Sequence, residues 1–207
     1  MDRYWFLTWT TYGSWLPGDD RGYHNAADQN SENHVGKLGP ARMPNERLQR
    51  AAIATLSGPP IFLNHHKADE VYAQFHETCA IRGWRLAACG IMTTHCHVAL
   101  SVPADIEPEV ILRDLKSYAS RRLNREFGKP RSETWWTESG SKRRLKSEQD
   151  VEATVEYIRR QPNPLLIWIR DDANVVWLPS EEPPRPASGR RQPPDQSPNP
   201  LKNSQGG

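Results

Sequence analysis

Runs of apolar, aromatic and threonine residues mark three strands. Tyr4 to Tyr12 is one, stopped by Gly13 and Pro17-Gly18. Trp84 to Met92 and His95 to Val102 are two more, and the Thr93-Thr94 turn between them makes a hairpin. Residues 44–56 and 67–82 read as helices, the second carrying Val71, Tyr72, Phe75 and Cys79 at mostly helical spacing. Gly83 ends that helix, since glycine tolerates the left-handed conformation of a helix stop. Pro108 to Phe127 is a long basic helix closed by Gly128, Thr134 to Leu145 a strand pair or an irregular stretch, and Glu148 to Arg160 a last helix. Strand, helices, strand, strand, helix, strand, helix is the order of an α+β, ferredoxin-like antiparallel sheet with helices packed on it.

Two stretches fall outside this pattern. Residues 14–44 are rich in Gly, Asn and Asp and poor in apolar side chains, so with the following helix they form a long polar insertion over 14–60. Residues 179–207 hold eight of the eighteen prolines and few apolar groups. Such a segment cannot bury enough surface to offset its ordering entropy and is expected to be disordered. The 207 residues thus divide into one catalytic-sized domain, 1–178, and a tail, 179–207. No run approaches the roughly 18 apolar residues of a membrane span, and no signal-peptide stretch opens the chain, so a cytoplasmic protein with no membrane partner is expected. Cys79, Cys89 and Cys96 are odd in number and lack CxxC spacing, which argues against a disulfide framework or a cysteine zinc site.

The net charge of +2 hides an uneven distribution. Residues 113–146 carry eleven basic and four acidic side chains, a local +7 against −5 for the remainder. A charge run is often only a solvated face, but this one is interleaved with Tyr118, Trp135 and Trp136. Cations beside aromatic faces suit the phosphates and bases of single-stranded nucleic acid. The expected DNA contacts are Lys116, Arg121, Arg122, Arg125, Lys142, Arg143 and Arg144, with Trp135 or Trp136 stacking a base.

His95-Cys96-His97-Val98-Ala99-Leu100 alternates, so His95 and His97 share one strand face while Cys96, Val98 and Leu100 take the other. The histidines are expected on the accessible side, where two neutral imidazoles can share a divalent cation or simply form a polar surface. In the last helix, Ser147 and Asp150 resemble a capping box, and Val151, Val155 and Ile158 define the expected buried stripe. Tyr157 and Gln161 flank it on one side, either as chemistry or as boundary packing. Gln161 precedes Pro162, which disfavours a helical conformation for it.

His95-Cys96-His97 followed by Tyr157-Ile158-Arg159-Arg160-Gln161 and Asn163-Pro164 resembles the single-tyrosine HUH transposases of bacterial insertion sequences and the REP-associated tyrosine transposases. The resemblance spans roughly residues 4–170. It departs where Cys96 replaces a bulkier apolar residue and where 14–60 exceeds the minimal fold. It implies that His95, His97 and Gln161 hold Mg2+ or Mn2+ and that Tyr157 is the nucleophile. The implied activity is cleavage and rejoining of single-stranded DNA, often at a hairpin, through a 5′-phosphotyrosine. Covalent linkage stores the bond energy for resealing. Homodimerisation and a site built within one chain or between two remain alternatives. Tyr118, in the basic helix, is the rival nucleophile but has Arg122 rather than an amide four residues on. A nonenzymatic nucleic-acid binder on the same sheet would need the basic stretch alone, and a hydrolase using only the histidines lacks an Asp or Glu in the His95 to Leu100 strand.

Overall fold

The computed structural model describes residues 2–19, 44–170 and 172–176. Most of the expected polar loop and the whole tail from 179 onwards lie outside the described residues. In chain order the elements are β1 (Arg3–Thr10), α1 (Glu46–Ala54), α2 (His65–Arg82), β2 (Arg85–Ile91), β3 (His95–Val102), α3 (Pro108–Phe127), β4 (Ser141–Leu145), α4 (Glu148–Arg159), β5 (Leu166–Ile169) and β6 (Asp172–Val176). They form one six-stranded sheet in the order β4-β1-β3-β2-β5-β6, antiparallel at every pairing. The β4-β1-β3-β2 portion, with α2 and α3 as crossovers, is the ferredoxin-like α+β arrangement expected from the element order.

Two corrections come from the chain after residue 130. Thr134 to Leu145, expected as a strand pair or an irregular stretch, is a loop followed by the single strand Ser141–Leu145, with an isolated bridge from Trp136 to Thr11 just beyond β1. β5 and β6, unforeseen in the sequence, extend the sheet beyond β2. Leu166–Ile169 is four residues of unbroken apolar character, too short for alternation to show.

Register divides the sheet into two chemical faces. Trp5 pairs with Leu100, Leu7 with Val98 and Trp9 with Cys96, and these side chains enter the main core beneath α2 and α3 with Val71, Phe75, Ile111, Leu115 and Leu123. Burying each aliphatic side chain of this kind contributes about 1.5–3 kcal/mol over leaving it exposed. Helix α2 starts where the Asn64 side chain accepts from the Lys67 amide and stops at Gly83, whose φ of 68° lies in the left-handed region.

On the opposite face, β1 and β3 present Phe6, Thr8, Thr10, His95 and His97. Helix α4 crosses this face, with Ile158 in a smaller core of Ala88, Ala99, Ile167 and Ile169. Gly90 of β2 pairs with His97 and lies beneath Ile158: a Cβ there would stand 3.2 Å from Ile158 Cγ2. A strand glycine here permits close approach of the helix. Gly90→Val should therefore lower stability by about 1–3 kcal/mol through overpacking. Urea unfolding checks this, and an unchanged midpoint would mean that α4 does not bear on β2.

Candidate active site

The histidine pair sits where β3 emerges from its tight turn. His95 and His97 project from one face with ring centroids 4.9 Å apart and planes at 78°. Thr94 Oγ1 is 3.1 Å from His95 Nδ1, and Thr8 Oγ1 of β1 is 2.8 Å from His97 Nδ1. The expectation of an accessible pair needs correction at His97, which is only 4% exposed. Alternation sets the face correctly, but a strand pattern cannot register that a helix is laid across it. Burial, reinforced by the neighbouring His95, pushes the His97 imidazole down to about 3, so it is neutral at physiological pH.

Helix α4 brings the phenol. Its start is fixed by Ser147, whose hydroxyl accepts from the Asp150 amide at 3.1 Å, while Asp150 Oδ2 accepts from the Lys146 amide at 2.8 Å. The fully buried positions are Thr154 and Ile158, with Val151 and Val155 only half-buried. The stripe is thus rotated from the one expected, because a threonine reads as polar in sequence although its hydroxyl is satisfied internally. Rotation brings Tyr157 towards the sheet. Its ring meets His97 edge-on at 5.3 Å and Phe6 at 5.8 Å, while half of the residue remains exposed. Gln161 lies beyond the helix, which ends at Arg159 with Arg160 as its cap. Its carboxamide folds back to donate to the Tyr157 carbonyl at 3.2 Å. The structure therefore gathers His95, His97, Tyr157 and Gln161 from one chain. Tyr118 is on α3, across the sheet, its ring flanked by the guanidinium groups of Arg82 and Arg121.

Does this donor set fit a divalent cation? Among the described residues, no group of three His, Cys, Asp or Glu side chains could hold one, so a third protein donor would be an uncharged oxygen, such as that of the Gln161 carboxamide. His97 Nε2 is buried without a hydrogen-bond partner, although its Nδ1 is engaged by Thr8. The Gln161 side chain lies close enough to favour the charged form of His97 slightly, yet makes no well-formed bond to Nε2. An unpartnered buried nitrogen beside a second imidazole is the arrangement a ligand nitrogen requires, and the Thr8 contact would fix its ring and tautomer. The residues present fit the group.

Sequence reasoning missed Phe6, Thr8 and Thr154. The alternation of β1 separates Phe6 and Thr8 from Trp5, Leu7 and Trp9, but only the β1–β3 register sets Thr8 opposite His97.

The basic segment is less available than its composition suggests. Trp135 and Trp136 cannot stack a base: both are core residues, their indole N–H groups donating to Asn124 Oδ1 and the Lys116 carbonyl. Lys116 is turned into the carbonyls of Thr137, Glu138 and Ser139, and burial lowers its ammonium to about 8. Arg122 pairs with Glu70 and Glu77, Arg125 with Glu126, and Lys142 with Glu109. Arg143 and Arg144, adjacent in sequence, point to opposite faces of β4. Arg143 shares the histidine face, where it lies over the Phe6 ring, and Arg144 is exposed on the other.

Residues 60–161, just under half of the chain, match the family model described as Transposase IS200 like. The matched stretch runs from before α2 to Gln161 and so includes both histidines and Tyr157. No curated protein shows a significant sequence match. Two solved structures are similar in fold. One, assigned as a transposase from Deinococcus radiodurans R1, is 16% identical with a TM-score of 0.42, covering 79% of this chain and 93% of its own. The other, a REP-associated tyrosine transposase bound to a REP hairpin, is 11% identical with a TM-score of 0.41, covering 75% of this chain and 64% of its own. Both overlays are too loose to carry function to this chain.

The depressed His97 imidazole has a signed consequence for stability. Its ordinary value is 6.5 and its folded value about 3, so the unfolded chain binds the proton more readily. The stability that depends on neutral His97 is fully present above about pH 6.5 and is lost as pH falls towards 3. The urea midpoint should drop between pH 7 and 4.5, and should drop less in His97→Gln; parallel curves would show that burial does not depress this imidazole.

Proposed function

We propose that this chain, whose residues 60–161 match the IS200-like transposase family model, cleaves and rejoins single-stranded DNA with Tyr157 as nucleophile. The observation that carries the reading is the half-exposed Tyr157 ring lying edge-on against buried His97, with the Gln161 carboxamide folded back beside them. We assign this catalytic unit to residues 1–178, with 179–207 as a separate tail.

In the first step the Tyr157 hydroxyl oxygen attacks a phosphodiester phosphorus. An oxygen–phosphorus bond forms, the bond to the 3′ oxygen breaks, and the products are a 5′-phosphotyrosine and a free 3′-hydroxyl. A 3′-hydroxyl from a second strand reverses the step and regenerates the phenol. A phenol is a weak nucleophile at its free pKa of about 10, so charge developing at phosphorus must be met by the site. A divalent cation, Mg2+ or Mn2+, held by His95, His97 and Gln161 would supply a Lewis acid to that charge. His95 and His97 would enter as neutral donors and so would leave the charge of that cation undiminished for the phosphate. Thr8 holds the His97 ring in place, and Phe6 shields its flank from water.

Hairpin or single-stranded DNA is the partner this reading requires. Arg121 and Arg144, both exposed, are the leading phosphate contacts. Arg125 and Lys142 can also exchange their carboxylates for phosphate, since a surface ion pair is worth only about 0–1 kcal/mol.

A pool of hairpin oligonucleotides with randomised flanks, incubated with Mn2+ and resolved on a denaturing gel, tests the chemistry. The wild-type chain and Tyr118→Phe should form a covalent adduct and Tyr157→Phe should form none. Mass spectrometry should locate the nucleotide on Tyr157. An adduct that survives Tyr157→Phe would remove this tyrosine from the mechanism, and binding without any adduct from the wild-type chain would favour a nonenzymatic DNA binder. Binding should also weaken steeply with salt, and each lost phosphate contact should reduce the logarithmic slope by about 0.7–0.9. Arg144→Ala is expected to show that reduction in titrations at several salt concentrations, and an unaltered slope would take Arg144 off the DNA path.

A further inference from the structure

Arg143 belongs to the basic segment, but its side chain is not directed at solvent. From β4 its Nη2 donates to Thr154 Oγ1 of α4 at 2.9 Å, and its guanidinium carbon sits 5.3 Å from the centre of the Phe6 ring. Thr154 is almost fully buried, and its hydroxyl proton is committed to the Asp150 carbonyl at 2.7 Å, so a lone pair is left aimed at Arg143. Thr154 stands three residues before Tyr157, nearly one turn along the same helix. Phe6, under the guanidinium, stacks on His97 at 5.4 Å with planes 28° apart and also touches the Tyr157 ring. One side chain thus joins the helix that carries the phenol to the aromatic ring that abuts the imidazole.

We infer that Arg143 is a positioning residue, which fixes Tyr157 against His97 by tying α4 to the sheet through Thr154 and by capping the Phe6 ring. The inference rests on the proposed role of Tyr157. It assigns to Arg143 a part in geometry instead of the phosphate contact that its charge suggests. A planar guanidinium suits this task because it can donate a directed hydrogen bond and lie on an aromatic face at once, which a lysine ammonium does not match. Reacting groups displaced by an ångström lose about a hundredfold in rate, so a modest loosening of α4 should be visible in the chemistry and not in DNA affinity.

The test compares Arg143→Lys, Arg143→Gln, Thr154→Val and Thr154→Ser in the full chain. Three readouts are taken: the maximal rate of adduct formation at saturating oligonucleotide, the affinity and its salt slope, and the nuclear Overhauser contacts between the Tyr157, His97 and Phe6 rings in DNA-free protein. Thr154→Val and Arg143→Lys should slow the maximal rate roughly tenfold to a hundredfold. They should leave affinity within about twofold with the ring contacts weakened, and Arg143→Gln, which removes the charge, should do the same and leave the salt slope unaltered. Thr154→Ser, which keeps the hydroxyl, should behave like the wild type in all three. If Arg143→Gln weakens binding and flattens the salt slope while the maximal rate and ring contacts stay intact, Arg143 is a phosphate contact and the inference is overturned. Ring contacts that persist in both Arg143→Lys and Thr154→Val also overturn it. Should the wild-type chain form no adduct, the reading of Tyr157 as nucleophile fails, while the ring contacts still decide whether Arg143 positions the helix. Should Thr154→Val not fold, the Arg143→Lys arm decides alone.

Discussion

The nearness of one helix to one face of the sheet governs the rest of this molecule. Helix α4 can bring a phenol to an imidazole only if its backbone comes low over β2 and β3, and that approach is set where Ile158 rests on Gly90. Gly90 is also the direct sheet partner of His97, so the position that admits the helix is the neighbour of the residue being covered. The burial of His97, its neutrality, its unpartnered Nε2 and the edge-on contact with Tyr157 all follow from this spacing. On the far face, the larger core beneath α2 and α3 holds β1 and β3 in the register that sets Thr8 beside His97. That core stabilises the fold without supplying any of the chemistry.

Charge is organised in a similarly divided way. The excess of cations over residues 113–146 is spent largely inside the molecule, on Glu70, Glu77, Glu109, Glu126 and a trio of backbone carbonyls. These contacts differ in kind. The exposed pairs with Glu109 and Glu126 are weak and exchangeable, whereas Lys116 is sunk among the carbonyls of the loop that leads into β4 and is unsuited to meeting an incoming strand. Thr137 of that loop bonds to Thr10 at the site end of β1, so Lys116 supports the site through the chain rather than through its field.

What could be read from sequence was whatever depends on local period. The boundaries of β3 and α3 were legible to the residue because a turn, a proline or a glycine marks them, and the common face of His95 and His97 followed from simple alternation. The ferredoxin-like sheet followed from element order. Contacts that depend on how elements pack were not legible. Nothing in a strand pattern says that His97 will be roofed over, and nothing in a hydrophobic stripe says that a threonine will be buried in place of a valine. Composition misled at Trp135 and Trp136, since an aromatic beside a cation looks the same in sequence whether it faces water or the core. Gln161 is an intermediate case: proline at 162 correctly warned of a departure from the helix, but not that the carboxamide would fold back onto the Tyr157 carbonyl.

The gathering of strand and helix residues from a single chain bears on inheritance. If the histidines and Tyr157 act together within one molecule, as their ring contacts place them here, a copy with a damaged histidine strand and a copy with a damaged tyrosine helix each lack half of the arrangement. In a cell holding both, neither would then supply what the other is missing, so two defective alleles of this kind would not complement, whereas a site shared between two copies would let them do so.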